Sequence, residues 1–123
     1  MPGETAETVL AGLRQRLAGI PGGVEIKLMK EGLPFHTEPG AGLVRRFSAA
    51  LAAAGVAPAL EGAAWCSDAG PLAAACRETI VWGPGAIAQA HTTTEFIEAT
   101  ALETGRESLR RFLADTSHIY KYS

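Results

Sequence analysis

Cysteine is scarce in this 123-residue chain: Cys66 and Cys76 stand ten positions apart and form neither a CxxC pair nor a disulfide framework, which fits a reducing compartment. Charge of one sign is lacking too. Eleven Lys and Arg against 13 Asp and Glu leave a formal charge of −2, so there is no electrostatic footprint for nucleic acid or for an anionic membrane surface. No apolar run approaches the roughly 20 residues of a membrane helix. The opening MPGETAETVL lacks a basic segment followed by an apolar one, so no secretory leader is expected and the expected location is cytoplasmic. Catalytic signatures are equally sparse. HExxH, His-x-Asp, an adjacent Glu-Glu pair and GxSxG are all absent, which excludes a self-contained metal site of recognisable spacing and a serine nucleophile elbow.

What is present is an ordinary globular balance, 47% hydrophobic and 20% charged, which excludes disorder and allows one domain or two incomplete ones. Residues 5–20 predict a helix, because Val9, Leu10, Leu13 and Leu17 recur at helical spacing until Pro21-Gly22-Gly23 stops them. Val24, Ile26 and Leu28 alternate with Glu25 and Lys27, the pattern of a strand with one wet face. The Gly- and Pro-rich residues 31–42 read as a linker or crossover. A second helix is expected over 43–54, with Leu43, Val44, Phe47 and Leu51 inward and Arg45 and Arg46 outward. Residues 59–65 suggest a short strand, and Ser67 or Asp68 suggests the cap of a short helix running through Ala75. Residues 79–82 read as a buried strand that delivers the chain to Gly83-Pro84-Gly85. Thr100 and Glu103 have capping-box spacing and open a last helix with the face Leu102, Gly105, Leu109, Phe112 and Leu113. The tail SHIYKYS is expected to fray. Strands alternating with helices make the expected fold class α/β.

Of the three histidines, His36 in the crossover and His118 in the tail read as solvated surface groups. His91 follows the Gly-Pro-Gly turn, and loops at the carboxyl ends of strands are where open α/β sheets place ligands. Glycines there let backbone N–H groups approach an anion closely, so a small-anion binder is one reading of the turn. The turn lacks the GxGxxG or GxxxxGK[ST] context of nucleotide sites.

The segment running from Cys66-Ser67-Asp68-Ala69 through the apolar residues 79–82, Gly83-Pro84-Gly85 and Ala90-His91-Thr92 to Glu95-Phe96 resembles the carboxyl-terminal part of the zinc-dependent aminoacyl hydrolases. That family includes acetylornithine deacetylase, succinyl-diaminopimelate desuccinylase, aminoacylase and carboxypeptidase G, and the spelling GPGAIAQAH leans towards the first. The opening PGET, the first helix and VEIKL resemble the second half of the family's lid domain. The resemblance thus implies residues 1–32 as a remnant of a lid and dimerisation domain. It implies residues 33–123 as the carboxyl-terminal part of a zinc-exopeptidase-like catalytic domain.

By the same resemblance His91 is the last ligand of a two-zinc centre, and Gly83, Gly85, Ala86 and Ile87 hold the substrate, an N-acyl amino acid or a dipeptide-like molecule. In such co-catalytic sites the metals polarise the amide carbonyl and activate a water, with a glutamate as general base. Asp68 reads as a helix cap rather than a catalytic group, and Cys66 as a small buried residue rather than a ligand. The other ligands, the Glu-Glu pair and the general base have no counterpart in the sequence. The zinc site is therefore expected to be incomplete and the chain inactive alone, with the chain beginning inside the lid. Uncovered strand edges and helix faces imply a homo-oligomer or a complementary amino-terminal half as partner. A non-catalytic interaction module derived from such a hydrolase is the competing expectation.

Overall fold

The computed structural model describes residues 3–115; the tail sequence SHIYKYS and His118 lie outside the described residues. Among those residues the regular elements are four α-helices, α1 (Ala6–Leu17), α2 (Gly42–Ala53), α3 (Ala69–Ala75) and α4 (Ala99–Ala114), and a 3-10 turn at Ile87–Gln89. This overturns the expected α/β class, because no strand forms among the described residues. Residues 24–28, 59–65 and 79–82 carry no ladder. An alternating pattern prepares a segment to be half buried, but it becomes a strand only where a neighbouring strand exchanges hydrogen bonds with it. Without one, Val24 and Leu28 are 48% and 53% exposed. The stretch expected to be a buried strand has Val81 exposed, with Thr79, Ile80 and Trp82 half-buried.

The chain divides into two compact units. The first comprises Met1–His36 and Ala64–Thr79. Here α1 starts where the Thr5 hydroxyl accepts from the Thr8 amide at 3.2 Å while the Thr8 hydroxyl accepts from the Thr5 amide at 3.1 Å. The Ala6 amide, a further orphan donor of the first turn, is met at 3.2 Å by Oε1 of Glu31. α1 buries none of its residues and ends at Leu17, three residues before its expected end. α3 begins where Ser67 Oγ accepts from the Ala69 amide at 3.3 Å; Asp68 makes no side-chain cap, correcting that expectation. Ala69 and Gly70 are buried, and a Cβ on Gly70 would sit 2.1 Å from the carbonyl oxygen of Leu33. Cys66, expected to be buried, is exposed.

The second unit comprises Thr37–Ala63 and Ile80–Ser123, and its centre is the packing of α2 on α4. α2 buries Val44, Phe47, Ala50 and Leu51, largely the face its periodicity announces. Phe47 stands edge-on between Trp82 and Phe112, with ring centroids 5.2 Å away on both sides. Arg46 is not on the outer face: its guanidinium lies 5.1 Å from the Phe112 ring centroid and donates at 3.1 Å to the Asp115 carbonyl.

α4 differs from expectation in two ways. It starts after Glu98 with no side-chain cap, so Thr100 is already inside the first turn and the Thr100–Glu103 box does not form. Its buried residues are Gly105 and Ser108, not the leucines. Leu102, Leu109 and Leu113 are 50%, 44% and 68% exposed. The buried Ser108 hydroxyl is satisfied by donating at 2.9 Å to the Thr104 carbonyl, one turn back.

Candidate functional site

The candidate site is the loop between Trp82 and the start of α4, in the second unit. Two contacts hold its front. Trp82 packs against Phe47, and the Pro84 ring lies over Gly105, where an added Cβ would meet Pro84 Cβ at 2.9 Å. A helix presenting a glycine at that position allows the Gly-Pro-Gly turn to approach its backbone closely. Gly85 adopts φ +91, and a Cβ there would also press on the Ile97 side chain at 3.3 Å. Both conformation and space therefore ask for glycine at position 85.

After Ala86 the chain makes the 3-10 turn, in which the Gln89 amide donates to the Ala86 carbonyl and the Ala90 amide to that of Ile87, both at 3.0 Å. It then reaches His91, which has φ +64. Among the described residues this is the only non-glycine with positive φ. The His91 amide donates at 3.0 Å to Glu95 Oε2, and the Thr92 hydroxyl donates at 2.9 Å to the Gln89 carbonyl. The imidazole belongs to an exposed residue.

Beside the loop lies an open cleft of about 240 Å³, lined by Gly85, Ala86, Gln89, Phe96, Ile97, Glu98 and Ala101. Its walls are mainly apolar, and Glu98 is the charged side chain in the lining. Of the expected substrate residues, Gly85 and Ala86 line this cleft; Gly83 and Ile87 are exposed outside it, and His91 is not part of its wall.

The donor set decides whether these residues by themselves fit a two-metal centre. Each zinc needs about three protein ligands or more. Among the described residues no group of three or more His, Cys, Asp or Glu side chains is placed to hold a metal ion, and the Glu95 carboxylate is engaged by the His91 amide. The residues present do not fit the two-metal group on their own.

Two contributors were not singled out by sequence reasoning. Gly105 was placed on a helix face without a role, although it is where the turn seats. Glu95 was read only as part of the histidine motif, although its spacing of four from His91 is the signal that a side chain can return to that amide.

Compared with protein-family models, the chain matches the model described as peptidase family M20/M25/M40 over residues 3–115. No curated protein and no solved structure gives a significant match. The match takes in the Gly-Pro-Gly turn, the left-handed His91 and its Glu95 partner, and with it the residues from α1 to α4: the chain belongs to peptidase family M20/M25/M40.

Proposed function

We propose that this chain is one part of a zinc-dependent, acetylornithine deacetylase-like amide hydrolase that cleaves N-acyl amino acids or dipeptide-like molecules in the cytoplasm. Family membership supports the hydrolase lineage. The observation that carries the reading is His91, held at φ +64 directly after the turn that begins Gly83-Pro84-Gly85. In this reading His91 is the single metal donor the chain contributes. Backbone N–H groups of Gly83, Gly85, Ala86 and Ile87 serve the substrate's carboxylate. Phe96 and Ile97 give the open cleft beside the turn an apolar wall. The sequence offers no Glu-Glu pair and no further clustered donors, so the chain is inactive by itself and acts with a complementary amino-terminal half.

The test is complementation. Mixing the chain with a polypeptide carrying the family's His-x-Asp and Glu-Glu elements, in the presence of zinc, is expected to yield deacylase activity on N-acetyl amino acids. His91→Ala should lower that activity by about a hundredfold or more, as expected for the loss of a metal donor. Activity indifferent to the substitution would remove the assignment.

A second reading is favoured by one observation: the exposed leucines of α4, which form an uncovered apolar stripe. In that reading the hydrolase part is retained as a packing surface, and the chain forms a stable oligomer without metal. Tight stoichiometric zinc in the isolated chain would count against it.

A further inference from the structure

We infer that Glu95 is a positioning residue for His91, its carboxylate clamping the main chain in the left-handed conformation from which the imidazole is presented. The functional meaning of this clamp rests on the reading of His91 as a metal donor; its existence does not.

Every other positive φ among the described residues belongs to glycine: Gly3, Gly22, Gly23, Gly55 and Gly85. For a residue with a Cβ the left-handed region is sterically costly, and such conformations persist where the surroundings over-determine them. A glycine at position 91 would relieve the cost at once. Histidine enters this region more readily than most residues with a Cβ, yet still at a cost that a local contact must offset.

What holds it is local and specific. The Glu95 amide donates to the Thr92 carbonyl at 3.3 Å, which turns the chain back so that the Glu95 carboxylate receives the His91 amide at 3.0 Å. The Thr92 hydroxyl and amide both return to the Gln89 carbonyl, at 2.9 and 3.3 Å, fixing the preceding peptide. A carboxylate is a stronger acceptor than a neutral oxygen, and here it receives the His91 amide at the ordinary N–H···O length of 3.0 Å.

The experiment is amide hydrogen exchange and the HN–Hα coupling constant of residue 91, measured by NMR on the full chain. Glu95→Ala is expected to reduce protection of the His91 amide by about fivefold, the size of one ordinary hydrogen bond, and to move its coupling towards an averaged value. Glu95→Gln, which keeps an acceptor oxygen at the same reach, should restore most of both. The amides of α2 serve as the folding control and should not change. Protection at His91 unaltered by Glu95→Ala, or lost equally in Glu95→Gln, overturns the clamp. The metal reading fails separately: complementation activity that survives His91→Ala removes the donor role and leaves the exchange result standing.

Discussion

Glu107 shows how much a single half-buried side chain reveals about pH dependence. Arg110 reaches it with Nε at 2.7 Å and Nη2 at 2.8 Å, and Arg111 with Nε at 2.7 Å. The hydrogen bonds from Arg110 are the largest influence; its charge, and then the bond and charge of Arg111, act in the same direction against a partial desolvation. Together they lower the carboxyl from its ordinary 4.5 to about 2, while the same bond raises Arg110. A group whose folded value is depressed adds stability that is present above its unfolded value and is lost as pH falls through the folded one. Glu107→Gln is therefore expected to melt slightly below the parent at neutral pH, with the gap closing on acidification from about 4.5 towards 2. The gap should also shrink in high salt, because the cluster is solvated. Thermal melts of both proteins across that pH range check it, and a gap that widens in acid contradicts it. At this scale the sequence is a partial guide. It places Glu107 within helical reach of both arginines, and of the two caps it offered for α3 the bond goes to Ser67 and not to Asp68, while the Thr100 cap is not made. Capping depends on where the helix starts to within one residue, and periodicity does not locate a start that finely.

Helices were legible because each makes its own backbone hydrogen bonds: α1, α2, α3 and α4 fall within a few residues of their expected ends. Strands were not. The alternation at residues 24–28 records a taste for a half-buried surface and says nothing of whether a neighbour stands beside it. The packed side of α4 was hidden for a related reason. Leucine carries the hydrophobic signal, but close approach to α2 and the Pro84 turn selects small residues, so Gly105 and Ser108 go inside and Leu102, Leu109 and Leu113 stay out. This yields a prediction about the site's support. In an ordinary helix interior, Gly→Ala gains about 1 kcal/mol from propensity. At Gly105 the new methyl would meet Pro84 Cβ at 2.9 Å, Pro84 Cγ at 3.1 Å and Trp82 at 3.4 Å. A proline ring in a tight turn has no flexible end to swing away, so overpacking outweighs propensity. Gly105→Ala should destabilise by about 1–2 kcal/mol in urea unfolding, with weakened edge-on packing of Trp82 on Phe47 seen as a change in tryptophan fluorescence. A gain in stability would show that the turn yields, and that Gly105 does not seat it.

For the molecule as a whole, the imbalance between the two units is what bears on the proposed partner. The second unit buries Val44, Phe47, Ala50 and Leu51 and gathers Trp82 and Phe112 around them. In the first unit the buried residues are Ala69 and Gly70, which together remove little apolar surface from water. Its larger groups, Val9, Leu13, Ile20, Met29, Trp65 and Leu72 among them, remain exposed. Exposed apolar groups of this size are more stable in water when another surface covers them, at roughly 25 cal/mol for each Å² removed. The family could be read in the sequence from the Gly-Pro-Gly turn and the histidine motif, because those residues are adjacent in the chain. The proposed metal-donor role of His91 has no such support in the chain, because among the described residues no second and third donor gathers beside it. If a second copy is what covers the exposed groups, sedimentation of the chain alone should report a mass rising above 12.8 kDa through the low micromolar range; if a complementary polypeptide does, the mass should rise only when it is added. A charged substitution in the first unit, Leu13→Glu, should then return the mass towards that of one chain, because Leu13 is one of the exposed groups and a carboxylate cannot be covered cheaply. A parent chain that sediments as a single 12.8 kDa species at every concentration, with α1 amides protected as strongly as those of α2, would mean that the first unit is stable without a cover and that no partner is required on that face.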